Sequence, residues 1–183
     1  MMIWNGCWAK FHNNSHKIIE ELEFQFETIY QENYQKVIRL CLGYVNGHQA
    51  LAEDLAQEVF LKVWQHLPNF RKEAHISTWI YRITVNTCLL ELRKKKFNKG
   101  QEVLDNVTSD TDGEPLDHEE RMRKMYNCIN KLSKENRSII LLELEGIPQK
   151  EIAAITGVSH EAIRVRVHRI KNNLTKCVQH EVI

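Results

Sequence analysis

Leu51, Leu55, Val59, Val63 and Leu67 recur every four residues, which lays them along one face of a helix and makes them its buried stripe. Asp54, Gln57, Glu58 and Leu61 then lie on a different face, leaving one apolar residue, Leu61, beside exposed acids. The same helical period recurs along the chain, and its three prolines and seven glycines fall mostly between periodic stretches, as punctuation. Extended alternating segments are absent. The expected fold is therefore all-α, with helices over 18–30, 34–44, 50–67 and 77–95, breaks near Gly47 and Pro68, and Gly43 loosening the end of the second.

Charge divides this helical chain into parts. Over 1–20, 21–64, 65–100, 101–120, 121–145 and 146–183, net charge runs +1, −4, +6, −8, +3 and +3, within a total of only +1. Segregation of this kind suits separate partners for separate segments. Residues 98–117 combine low hydrophobicity with uncompensated acid, two glycines and a proline, which predicts a flexible acidic linker. Extended, such a linker spans up to roughly 65 Å. Two small helical domains would then act at separated sites. The boundaries expected are an extension at 1–20, a first domain at 21–97, the linker at 98–117, a second domain at 118–177 and a tail at 178–183.

Five cysteines, at 7, 41, 88, 128 and 177, form no CxxC pair and no metal-binding spacing, and the odd count argues against a closed disulfide framework. They read as reduced, mostly buried thiols. No apolar run is long enough to cross a membrane, and the N-terminus lacks the apolar core of a signal peptide. A cytoplasmic location is expected. The first twenty residues, with Trp4, Trp8 and Phe11, are either a small docking element or disordered.

In the second half, Met122, Met125, Tyr126, Ile129 and Leu132 form one amphipathic stripe, and Ser133 is placed to cap the helix that follows. From Gln149 the sequence is QKEIAAITGVSHEAIRVRVHRIKNNL, with Ala153 and Gly157 four apart among Ile152, Ile155, Val158, Ile163 and Val167. A small residue lets two helices cross closely, and glycine suits the turn between them because positive φ is open to it. Ser159 is placed to cap the second helix. With Ile163, Val167, Ile170 and Leu174 facing inward, Glu161, Arg164, Val165, His168, Arg169 and Asn172 face outward, the arrangement of a helix-turn-helix reading the major groove. Arg164 suits a guanine edge and Val165 a thymine methyl; His168, Arg169 and Lys171 reach bases or phosphates, and Arg166 sits nearer the core edge.

Between Phe70 and Lys96 the chain reads FRKEAHISTWIYRITVNTCLLELRKKK. Aromatic and amide side chains beside Arg and Lys suit an unstacked DNA base and its phosphates. Trp79, Arg82 and Asn86 share one helical face next to the loop 71–75, and Trp79 suits a core position equally well. Tyr81 points roughly 160° away from Trp79 and is expected to pack.

EDLAQEVFLKVW (Glu53 to Trp64) followed by FRKEAHISTWIYRITVN resembles domain two of extracytoplasmic-function sigma factors. LSKENRSIILLELEGIPQKEIAAITGVSHEAIRVRVHRIK (Leu132 to Lys171) resembles their domain four. The resemblance spans roughly residues 22–176, in the family's order. It implies a dissociable initiation subunit of bacterial RNA polymerase, not an enzyme and without cofactor or metal. Its partners would be core polymerase, through the clamp helices of the largest subunit and the flap of the second largest, and promoter DNA. Members are commonly held inactive by an anti-sigma protein.

By the same resemblance Asp54, Gln57, Glu58 and Leu61 dock on the clamp. Arg71, Lys72, His75, Trp79, Arg82 and Asn86, supported by Arg93, Lys94, Lys95 and Lys96, take the minus-ten element. Ser159, His160, Glu161, Arg164, Val165, Arg166, His168, Arg169 and Lys171 take the minus-thirty-five element. Where primary sigma factors carry adjacent tryptophans, Trp79 is followed by Ile80, which implies melting by capture of individual bases. Glu161, Ala162 and Val165 stand where the family more often has Gly, Thr and Ser, so its upstream sequence does not carry over. The acidic linker resembles the segment that enters the polymerase's RNA path. Two other readings compete: a stand-alone helix-turn-helix regulator, which leaves the first half unexplained, and a metal hydrolase built on His12 and His16, which lack an evident acidic third ligand.

Overall fold

The computed structural model describes the backbone of residues 5–98 and 116–180, and the side chains of 20–94 and 120–179. Its described elements are helical, in the order α1 (Asn5–Tyr44), α2 (Gln49–His66), a 3-10 turn (Leu67–Asn69), α3 (Ile76–Asn98), α4 (Leu116–Asn130), α5 (Lys134–Leu144), α6 (Gln149–Thr156) and α7 (His160–His180). The connector at the centre of the predicted linker lies outside the described residues, as do the side chains of His12 and His16.

The first three helices pack on one another around Val37, Leu40, Cys41, Ala52, Ala56, Val59, Val63, Ile80 and Cys88, all fully buried. Of the stripe expected for α2, Leu55, Val59, Val63 and Leu67 are buried and Leu51 is half-buried, and Ala52, Ala56 and Phe60 widen it. Its small alanines bring α1 close, since no large side chain intervenes. His48 caps α2, its side chain accepting from the Leu51 amide, and Pro68 in the 3-10 turn closes the helix.

The two helices expected over 18–30 and 34–44 are one. Residues 31–33 do not interrupt α1, which runs through them to Tyr44. Asn33 is buried there and its Nδ2 donates to the Ile29 carbonyl at 2.8 Å, a bond only a continuing helix supplies. Nor does Gly43 loosen the helix end. A Cβ on it would lie 2.1 Å from a methyl carbon of Leu141, so glycine there lets α5 cross α1 at close range.

The second unit gathers α4, α5 and α6 around α7. Ile129, Ile139, Ile140, Leu142, Ile152 and Ile163 are fully buried within it. Both predicted caps form: Ser133 accepts from the Asn136 amide and Ser159 from the Ala162 amide, each at 3.3 Å. Gly157 ends α6 in the left-handed region at φ 73°, the conformation that favours glycine.

The expectation of five reduced thiols is corrected. Cys128 of α4 and Cys177 of α7 are joined by a disulfide with Cα atoms 6.0 Å apart. An odd total does not preclude one pair, and helix packing brings together two positions separated by 49 residues. Cys41 and Cys88 are free and buried.

The two units also touch. Tyr44 Oη donates to Ser138 Oγ at 2.6 Å in a buried contact, and Arg39 makes a bidentate pair with Glu145 at 2.7–3.0 Å. Asn46 Nδ2 donates to Asn127 Oδ1 at 3.1 Å, and Tyr126 lies over Gly47.

Candidate nucleic-acid and polymerase interface

Three surfaces carry the predicted site residues. On α2, Asp54, Gln57 and Leu61 are exposed, Leu61 by 55 %, with Trp64 half-exposed beside it. Glu58 is half-buried; its carboxylate accepts from Lys62 Nζ at 2.6 Å, and the same ammonium donates to Thr87 Oγ1 at 3.0 Å. The acid is thus tied to the α3 side of the unit. Farther along, Phe26, Tyr30, Tyr34, Phe60 and Trp64 form a chain of ring contacts between α1 and α2, with centroids 4.7–6.4 Å apart. These contacts, centred on buried Phe60, fix the angle at which α2 presents its outer face.

The second surface is the loop 71–75 and the exposed side of α3. Arg71, Lys72 and His75 are exposed. Lys72 takes a left-handed conformation at φ 57°, a strained choice for a residue with a long side chain. The loop is anchored from behind, because the Phe70 ring lies 4.9 Å from that of Trp79. Trp79 is half-buried and packs against the core, so the ring serves the loop's position. Tyr81 is buried as expected, its Oη 3.4 Å from Asn33 Oδ1. Burial, then the charges of Glu145 and Glu151, push its phenol up to about 12. Asn86, Arg93 and Lys94 are exposed; Lys95 and Lys96 lie outside the described side chains.

Arg82 is exposed but engaged. Its guanidinium Nη2 donates to the Ala154 carbonyl of α6 at 2.6 Å, and one turn earlier Thr78 Oγ1 donates to Glu151 at 2.6 Å. Helix α6 thus covers part of the α3 face that was expected to read DNA. The sequence reading missed Thr78, Glu151, Arg39 and Glu145. Each is an ordinary surface-type residue, and only the packing of one unit on the other gives it a partner.

The third surface is the outer side of α7, where Glu161, Arg164, Val165, Arg166, His168 and Arg169 are exposed, with His160 at its start. Ile163, Val167 and Ile170 face inward. Val165 is 51 % exposed, an apolar group set among cations. Lys171 is held by Glu143 of α5 at 2.7 Å, and the other oxygen of Glu143 accepts from Gln149 at 3.4 Å. One carboxylate therefore fixes the start of α6 against α7, and with it the angle of the outer helix. Among the described residues no group of three His, Cys, Asp or Glu could hold a metal, and no helix is long and apolar enough to cross a membrane.

Comparison with known proteins gives two family matches in order: Sigma-70 region 2 over residues 29–98 and Sigma-70 region 4 over residues 122–174, about two thirds of the chain together. RNA polymerase sigma factor SigZ of Bacillus subtilis is 29% identical over 153 residues, which cover 81% of this chain and 84% of that protein. RNA polymerase sigma factor YlaC of the same organism is 29% identical over 167 residues, covering 86% and 96%. A sigma factor RpoE from Bartonella quintana, solved in complex with the anti-sigma factor NepR, superposes with a TM-score of 0.68 at 21% identity, covering 85% of this chain and 97% of that one. CnrH, solved in complex with the cytosolic domain of CnrY, gives 0.66 at 16%, covering 86% and 90%.

Proposed function

The chain belongs to the sigma-70 family, among its extracytoplasmic-function members, and from that membership we propose that it directs core RNA polymerase to specific promoters and initiates transcription there. The observation that carries this reading is the presence on one chain of both family regions, in order, each with a solvent-facing surface of fitting chemistry. The α2 surface offers acids and an exposed leucine to a protein partner, and α7 offers cations and Val165 to a DNA groove.

In this reading the domains are residues 21–97 and 118–177, and catalysis belongs to the polymerase. Asp54, Gln57, Glu58 and Leu61 dock on the clamp helices of the largest subunit, and the second unit docks on the flap. The loop 71–75 with Asn86 and Arg82 holds a flipped base of the minus-ten element. Trp79, stacked on Phe70, supports that loop from behind. The cations from Arg93 onward follow the phosphates. On α7, Arg164, Val165, His168 and Arg169 read the upstream element. An anti-sigma protein completes the set of partners, as NepR does for the solved RpoE.

Arg82 already has a protein partner on α6, beside the Thr78–Glu151 bond, so DNA at its guanidinium requires α6 to move aside.

Run-off transcription with purified core polymerase tests the proposal. Transcripts should start at a defined promoter set only when the chain is added, and the chain should copurify with core. Sequence-specific duplex binding without polymerase, and no transcription with it, would instead make the protein a stand-alone regulator.

A further inference from the structure

The four cysteines with described side chains fall into two pairs of opposite character. Cys41 and Cys88 lie in the core of the first unit with sulfurs 3.8 Å apart, both fully buried, and both remain thiols. Cys128 is also buried, but its partner Cys177 is half-buried near the end of α7, and these two are joined. Contact between sulfurs is common to both pairs; access from solvent is not. A thiol is oxidised only where an oxidant reaches it as thiolate, and Cys177 alone of the four offers that route.

The joined pair encloses a functional unit. Between Cys128 and Cys177 lie the Ser133 cap, all of α5 and α6, and the outward face of α7. Closing that loop removes conformational freedom from the unfolded unit as a whole. In the folded state it pins the end of α7 to α4, whose neighbouring Tyr126 and Asn127 touch the first unit. A sigma factor works beside polymerase, where thiols are ordinarily kept reduced and disulfides are transient or redox-sensing. On that reading of the protein, this bond is made and broken in use.

We propose that Cys128 and Cys177 form a reversible oxidation site for a peroxide-class oxidant, whose closure clamps the DNA-reading unit. The Cys177 thiolate attacks one peroxide oxygen; the O–O bond breaks, the sulfur becomes sulfenic acid, and the departing hydroxide takes a proton to leave as water. Cys128, as thiolate, then attacks the Cys177 sulfur; the S–S bond forms and the S–O bond breaks, releasing a second water. Two thiols and one peroxide yield one disulfide and two waters. A dithiol reductant reverses the reaction by exchange, taking up the disulfide bond itself.

The full-length chain is first reduced with dithiothreitol, freed of it, and treated with stoichiometric hydrogen peroxide. Peptide mapping after alkylation should recover Cys128 linked to Cys177, with Cys41 and Cys88 alkylated only after denaturation. The melting temperature of the oxidised chain should exceed that of the reduced chain by on the order of 10 °C. Amide exchange over α4 and the end of α7 should slow on oxidation, and upstream-element duplex binding should strengthen several-fold. Cys177→Ser and Cys128→Ser should each remove the redox dependence of all four readouts. Recovery of Cys128 and Cys177 both alkylated after peroxide, linkage through Cys7 instead, or a melting temperature indifferent to dithiothreitol overturns the proposal. Copurification with core polymerase tests the sigma-factor reading separately, and both redox forms and Cys177→Ser should retain it.

Discussion

Replacing Gly43 with alanine tests the contact between the two units at its tightest point. The new Cβ would lie 2.1 Å and 2.9 Å from the two methyl carbons of Leu141 and 3.1 Å from its Cγ. Leu141 is buried, 4 % exposed, so it has little room to rotate, and crowding of this kind costs about 1–3 kcal/mol. Against that, alanine within α1 gains about 1 kcal/mol of helix propensity over glycine, and this gain is kept whether the units touch or separate. The polar part of the contact is modest. The buried Tyr44–Ser138 hydrogen bond contributes about 1 kcal/mol. The Arg39–Glu145 pair, with Arg39 half-exposed, adds at most about 1 kcal/mol. A penalty of ~1–3 kcal/mol exceeds either of these contacts alone or matches it, and should raise the separated fraction roughly 5- to 150-fold. Small-angle scattering should show a larger radius of gyration for Gly43→Ala. Amide exchange should quicken in α6 and along the Thr78–Arg82 face, while the caps at Ser133 and Ser159 stay protected. Adding Leu141→Val, which removes the two nearest atoms, should restore the compact form. Unchanged scattering and exchange in Gly43→Ala, with a raised melting temperature, would falsify the account, because the helix gain would then act without any clash.

Other outcomes follow from the assigned surfaces. Asn86→Ala should slow open-complex formation, read by permanganate footprinting, while core polymerase still copurifies. Glu58→Arg, which reverses a charge and breaks the Lys62 contact, should do the opposite; retained core affinity would remove the docking role from this face. Arg164→Ala should lose about 1–3 kcal/mol of discrimination between matched and mismatched upstream elements in competition binding, and equal weakening on both would make Arg164 a phosphate contact. Burial raises the phenols of Tyr44 and Tyr81 above their ordinary value, Tyr81 to about 12. The unfolded chain ionises first, so stability should be unaffected below roughly pH 10 and fall above it by about 1.4 kcal/mol per pH unit for each phenol, Tyr81 ceasing to contribute beyond about 12. Tyr44→Phe should flatten that alkaline slope in denaturant titrations; an unaltered slope refutes the assignment.

Much of each unit was legible in the sequence because local periodicity decides it. The stripe of α2 is set by four-residue recurrence, the caps at Ser133 and Ser159 by hydroxyl chemistry, and the turn at Gly157 by the one residue at ease with positive φ. Exposed Leu61 and packed Tyr81 follow from the same angular reasoning. The two helices expected over 18–30 and 34–44 are one because residues 31–33 are compatible with either a turn or a helix, and packing around Asn33 chose the helix. Gly43 misled for a related reason: a glycine that weakens a lone helix is an asset where another helix crosses it. The Cys128–Cys177 bond was hidden by an odd count and by 49 residues of separation. The contacts of Arg39, Thr78 and Arg82 left no trace at all, since each reads as a solvated residue until the second unit is placed.

Those contacts differ in kind along the seam between the units. At one end, Gly43 meets Leu141, and the Tyr44–Ser138 bond is buried; water cannot replace either without exposing apolar surface. At the other end, Thr78 is buried where it meets Glu151, but the Arg82–Ala154 bond lies on an exposed residue, so water or another oxygen-bearing ligand can take the place of α6 at Arg82. The oxygens that α6 presents to α3, a carbonyl and a carboxylate, are acceptors of the same kind as those on a nucleic-acid strand. On the proposed function, DNA would compete with α6 for the donors of Arg82, while the apolar end decides how far the units part once α6 yields. A seam exposed at Arg82 and dry at Gly43 can open at the Arg82 end first. The positions that govern its opening, Gly43 and Leu141, stand apart from the atoms that would touch DNA, which is why a change at Gly43 should alter access without altering the reading residues themselves.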